Sequence, residues 1–183
     1  TCAFGFDLIP ASPCTLPINP GTASVSNANP CMGQSITFNL SGNSLGSGQT
    51  YQWEFATNTS GTWTAIDTPA ITPFLATTAN VTAYYRAKVK CSSDSAYSDT
   101  VLVTVPAAFP GGTYTIDPSQ PASSTNFQSF AAAASAIGCG ISGPIVFNVA
   151  ADTFDEQVIL PATIGSNATN TITFNGNGAY LRS

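Results

Sequence analysis

The chain has 183 residues, 43% of them hydrophobic and only 7% charged, with a formal net charge of −5. That balance gives phosphate-backbone binding and an anionic lipid surface no electrostatic footing, so nucleic acid and membrane surfaces are excluded as expected partners. The absence of histidine removes the commonest general base and the commonest metal ligand.

Ser and Thr supply 44 positions, so hydroxyls and amides replace ions on the surface. No apolar run approaches the roughly 20 residues of a membrane-spanning helix. The opening Thr1-Cys2-Ala3 carries neither an initiator Met nor a signal peptide and reads as a mature or internal piece. Five cysteines beside so little charge indicate an oxidising, extracellular setting.

Residues 1–20 contain Pro10, Pro13, Pro17 and Pro20 and read as a stiff connector or the end of a preceding module. Cys2 and Cys14 are placed to close a short loop, worth roughly 3 kcal/mol if they do; the alternative is that one of them pairs further upstream. Residues 21–106 read as short strands separated by turns. The first spans 22–26. Residues 34–40 alternate, with Ile36, Phe38 and Leu40 on one face. Tyr51, Trp53 and Phe55 share a face of the next strand, and 62–66 follow a turn. The longest strand, 81–91, turns Tyr85, Ala87, Val89 and Cys91 inward and Arg86, Lys88 and Lys90 outward. Residues 99–105, with Val101, Val103 and Val105 on one face, close the module. About seven alternating strands in this length predict an all-β sandwich.

Residues 107–112 read as a linker, and 113–183 change character. A short strand at 114–116 precedes the one helical pattern: Phe127, Phe130, Ala131, Ala134 and Ile137. Thr125 or Asn126 is its expected N-cap, and Gly138 its end. Strands are predicted at 145–149, 157–160 and 171–174. Ile145 and Ile172 lie 27 residues apart, about one coil of a parallel β-helix.

Two sets of motifs carry a resemblance. NPCMGQSITF (29–38), TYQWE (50–54), YYRAKVKC (84–91) and SDTV (98–101) resemble the Ig-like modules of secreted Bacteroidota surface proteins, which are commonly exported by the type IX secretion system. TYTI (113–116), NFQSF (126–130), GPIVFNV (143–149), FDEQV (154–158) and NTITF (170–174) resemble the N-terminal cap and opening coil of right-handed parallel β-helices in such proteins. Pectin esterases begin in a similar way. The resemblance implies an Ig-like β-sandwich at 21–106, a β-helix cap and first coil at 113–183, and an address at the outer cell surface. It brings no catalytic residue. It also resembles a Bacteroidota O-glycosylation pattern at Asp94-Ser95-Ala96 and Asp99-Thr100-Val101, which would place glycans on Ser95 and Thr100. One coil cannot bury its stacking face alone, so more chain beyond Ser183, or another chain, is expected to cover it.

Candidate chemistry is sparse. Cys31 and Cys91 flank the sandwich with Trp53 between them, as in an inter-sheet disulfide stacked on tryptophan. Against that pairing, Cys31 precedes its strand and Cys91 ends its strand, which puts them near opposite ends. Cys139 is left unpaired or joined to a partner not seen here. Asp152, Asp155 and Glu156 are the acidic cluster; they fit a solvated turn better than a metal or acid–base site, since no calcium-loop spacing accompanies them. No cofactor is expected. Trp63, Arg86, Lys88 and Lys90 are the candidate glycan contacts, with Tyr51, Trp53 and Tyr97 as further aromatics. The expected function is a non-catalytic segment of a large extracellular adhesin or structural protein. The alternatives are an accessory region of a secreted pectin esterase-like or polysaccharide lyase-like β-helix enzyme, with its active site beyond residue 183, and a glycan-binding module. The expected partners are other modules of the same longer chain, surface glycans or neighbouring copies.

Overall fold

A computed structural model describes residues 12–160 and 162–182. The chain divides into two units between Val105 and Pro106. Strands dominate both, and the one α-helix among the described residues has seven residues.

In the first unit, β1 (Thr22–Val25), β2 (Ser35–Ser41), β3 (Gln49–Ala56), β4 (Thr64–Ala65), β5 (Leu75–Thr78), β6 (Ala83–Cys91), β7 (Asp94–Tyr97) and β8 (Val101–Val103) follow in order. They form one antiparallel sheet in the order β1-β2-β5 and another in the order β4-β3-β6-β7, with β8 also on β6. The period-2 pattern explains the layering: side chains alternate across a strand, so each apolar set must find a partner sheet. Ile36, Phe38 and Leu40 from one sheet pack with Tyr51, Trp53, Tyr85, Ala87 and Val89 from the other. The Phe38 ring lies 4.6 Å from Tyr85 and 5.0 Å from Trp53. The Trp53 indole N–H donates to the Pro73 carbonyl at 3.1 Å, which satisfies its one polar atom in the core.

Two strands escape the sequence reading. Leu75–Thr78 has one buried apolar residue, and Asp94–Tyr97 has none, so neither shows a legible alternation. The predicted strand at 62–66 shortens to Thr64–Ala65.

Residues 12–20, expected as a connector, are tied into this unit. Ser47 N–H donates to Ser12 O and Cys14 N–H to Ser47 O. Ile18 packs on the core, and Asn19 Nδ2 donates to Gly42 O at 2.9 Å. These contacts set Cys14 beside the start of β3, where Gln49 is paired with Cys91. The disulfide is therefore Cys14–Cys91. This corrects both expected pairings, Cys2 with Cys14 and Cys31 with Cys91. Cys2 itself lies outside the described residues. Cys31 and Cys139 are each disulfide-bonded, so Cys139 is not a free thiol.

Burial raises the pKa of Tyr85 above its ordinary value; it also raises that of Tyr51, against a smaller lowering by the Asn43 hydrogen bond. The unfolded chain then ionises these phenols first. Their contribution to stability is complete below about pH 10 and is lost as the pH climbs through the folded-state values. Urea midpoints at pH 8 and pH 11 should show this fall, and Tyr85→Phe should flatten it.

In the second unit, β9 (Gly112–Ile116), β10 (Asn126–Phe127), α1 (Phe130–Ala136), β11 (Ile145–Val149), β12 (Thr153–Asp155), β13 (Ile172–Asn175) and β14 (Tyr180–Arg182) follow in order. One sheet runs β10-β9-β11-β13, and a second pairs β12 with β14. Every pairing is parallel. Ile145 stands opposite Ile172 and Thr153 opposite Tyr180, a step of 27 residues in both ladders. The predicted strand at 157–160 does not form; the strand on that side is Thr153–Asp155. The apolar residues there, such as Ile159 at 77% exposure, have no facing layer.

Like side chains stack up these ladders. Phe147 lies between Tyr114 and Phe174, at 5.8 and 5.1 Å. Asn175 Nδ2 donates to Asn148 Oδ1 at 2.9 Å. Glycine makes one corner possible. Gly165 has φ +86°, and a Cβ there would sit 2.2 Å from the Ile141 carbonyl oxygen, so only Gly fits both the conformation and the approach.

The helix starts later than expected. Ser129, not Thr125 or Asn126, is the N-cap, and its side chain accepts from Ala132 N. Phe127 is already in β10. Asn126 is instead a buried clamp whose Nδ2 is directed at the carbonyls of Asp117, Gln120 and Pro121. The helix buries Ala133, Ala134 and Ile137, while Ala131 faces solvent.

Burial falls off sharply at the last rung. Phe154 is 5% exposed, but Leu181, its partner one coil later, is 52% exposed. Ile141 is 3% exposed, and Ile164, whose carbonyl accepts the Ile141 N–H, is 57% exposed.

Candidate functional site

The outer face of the β4-β3-β6-β7 sheet gathers three of the chain's four basic residues. Alternation along β6 sends Arg86, Lys88 and Lys90 to the side opposite the core. The antiparallel register sets Glu54 opposite Arg86, Gln52 opposite Lys88 and Thr50 opposite Lys90. Arg86 Nε and Nη2 both donate to Glu54 Oε2, at 3.1 and 3.0 Å. Its guanidinium lies 4.0 Å from the centroid of Trp63 and 3.9 Å from that of Tyr97. Flat, weakly hydrated guanidinium suits such a sandwich.

Trp63 and Arg86 thus engage each other. Lys88 and Lys90 have no ion pair among the described residues. Lys88 Nζ lies 5.8 Å from the Tyr97 ring centroid, and Tyr97 is 43% exposed. A shallow groove of about 170 Å³ runs beside them, lined by Thr50, Gln52, Pro69, Lys88 and Lys90. Tyr51 and Trp53 are buried in the core. Thr50 and Gln52 went unnoticed in the sequence reading. Their outward alternation on β3 was visible, but only the β3–β6 register puts them against the lysines.

The acidic cluster is dispersed by its bonds. Both Glu156 carboxylate oxygens accept from the helix start, from Phe130 N at 2.8 Å and Ala131 N at 2.9 Å. Together with Ser129 this satisfies three otherwise orphaned helical N–H groups. Asp152 Oδ1 accepts from Thr153 N, and exposed Asp155 sits opposite Arg182 in the β12–β14 ladder. Among the described residues, no three His, Cys, Asp or Glu side chains converge to hold a metal. Ser95, on β7, and Thr100, between β7 and β8, are both exposed. Asp99, which precedes Thr100, is committed to the fold, since its Oδ1 accepts from Ala23 N at 2.6 Å.

Residues 19–107 match the model of a family described as a domain of unknown function, DUF8696. The match takes in the candidate face and all eight strands of the first unit. No curated protein matches the chain. The disulfide-bonded cysteines point to an oxidising environment, and no described helix is long and apolar enough to cross a membrane.

Proposed function

We propose that this chain is a non-catalytic structural segment of an extracellular or cell-surface protein, an Ig-like sandwich followed by the cap and opening coil of a right-handed parallel β-helix. The observation that carries this reading is the common 27-residue step of the β11–β13 and β12–β14 ladders, with burial falling from Phe154 to the exposed Leu181 one step later. Stacked coils bury their faces against neighbours of the same kind. Parallel crossovers in one sheet are almost always right-handed.

The Ig-like reading is supported by the strand order. Sheets β1-β2-β5 and β4-β3-β6-β7, with a buried Trp on β3, follow the Ig plan in which the third strand carries the core tryptophan. The Cys14–Cys91 bond departs from the usual inter-sheet cystine. The placement on a Bacteroidota cell surface, export by a type IX-like route, and glycans on Ser95 and Thr100 rest on the sequence resemblance. The chain's role is to space and stiffen, with any adhesive contact made through its surface or its neighbours.

Coil duplication tests the stacking at the base of this reading. A second copy of residues 156–182, inserted after residue 182, should add one rung. Hydrogen exchange should then show the amides of the original 172–175 strand protected as well as those of 145–149. A disordered, fully exchanging insert would refute the stacked-coil reading.

A further inference from the structure

We propose that the groove on the outer face of β3 and β6 is a binding site for an acidic polysaccharide, held by Lys88 and Lys90 with Thr50, Gln52 and Pro69 as its walls. The argument begins with the charge. Arg86, the third cation on this face, is neutralised by Glu54 at 3.0 Å, whereas Lys88 and Lys90 are left without an anionic partner among the described residues. A chain with a net charge of −5 nevertheless places its two unpaired lysines side by side on one strand face. Alternate residues on a strand stand roughly 7 Å apart, so the two ammonium groups form a row suited to successive charges on an extended polymer.

The walls favour sugar over peptide or nucleic acid. Thr50 contributes a hydroxyl, and Gln52 an amide whose Nε2 already donates to the Asp67 carbonyl at 2.9 Å. That bond fixes the amide and leaves its carbonyl oxygen for a sugar hydroxyl. Pro69 lends the groove an apolar wall, and the exposed Tyr97 ring stands by Lys88. Mixed hydroxyl, amide and ring contacts match a polyhydroxylated ring with an acidic substituent. Two unpaired cations are too few for the counterion release that drives nucleic-acid binding. The Trp63–Arg86–Tyr97 stack links the residue before β4 to β6 and β7.

Affinity electrophoresis of the whole chain in gels containing polygalacturonate, dextran or poly-glutamate tests this. Polygalacturonate should retard the protein at 20 mM salt and much less at 200 mM, because exposed charges are screened within about 10 Å at 0.1 M. Dextran and poly-glutamate should retard it little. Lys88→Gln with Lys90→Gln should weaken the effect at least tenfold. Thr50→Val with Gln52→Ala, which changes no charge, should weaken it several-fold. Thermal melts would show whether each variant keeps its fold. No retardation by polygalacturonate would overturn the proposal, as would equal retardation of the lysine variant. Equal retardation by poly-glutamate, or a Thr50/Gln52 variant as strongly retarded as the parent, would show attraction by charge alone and overturn the built groove.

Discussion

Replacing Cys14 and Cys91 together by alanine is expected to lower the stability of the first unit by about 4 kcal/mol, the loop-closure entropy of a cross-link of this length. The bond joins positions 77 residues apart, so it holds the unfolded chain in a loop spanning nearly the whole unit. The folded state does not depend on the bond for its geometry. Ser12 and Cys14 are already held to Ser47 by backbone hydrogen bonds, and Ile18 is packed on the core. Gly46 allows the close approach, since a Cβ there would lie 2.2 Å from the Cys14 Cα. The double variant should therefore fold and keep its buried Trp53 signal, but unfold at a markedly lower denaturant midpoint and with a steeper slope, because its denatured chain is no longer held compact by the cross-link. A loss below 1 kcal/mol would mean that the denatured chain is already restrained in other ways or that the bond does not form in solution.

That disulfide also marks a limit of sequence reading. The objection to joining Cys31 with Cys91 was sound: the two fall at opposite ends of their strands. What the sequence could not show is that a Pro-rich segment would return along the 46–49 loop and bring Cys14 to Cys91. Non-local pairing of irregular backbone has no periodic signature. Strands with clean alternation were legible, as in 34–40 and 83–91, because one face of each is buried and the other wet. Leu75–Thr78 and Asp94–Tyr97 were not, because they lie at sheet edges with little to bury. The helix pattern was visible, yet its start was misplaced. Phe127 fits the helical period but pairs with Ile116 in a parallel ladder, and Ser129 takes the cap. The basic stripe was read correctly as outward-facing. Its division into one paired arginine and two unpaired lysines required the register with Glu54, Gln52 and Thr50.

Phe147→Ala is expected to cost about 3–5 kcal/mol, the range for truncating a fully buried aromatic, and Phe174→Ala clearly less. The two residues are register partners one coil apart, with stacked rings 5.1 Å apart. Phe147 is fully buried and also meets Tyr114 and Phe127, so its removal leaves a cavity walled on all sides. Phe174 is only half-buried. Water already reaches part of its ring, and its truncation removes less area from the core. Denaturant unfolding of the second unit, followed by hydrogen exchange at 145–149, would measure both. The comparison also probes the stacking argument from the energetic side. In the duplicated-coil protein, a new rung covers Phe174, and Phe174→Ala should then cost nearly as much as Phe147→Ala. If the cost of Phe174→Ala stays low when the extra coil is present, the added residues do not stack, and the 27-residue step of the ladders is not a repeat that propagates.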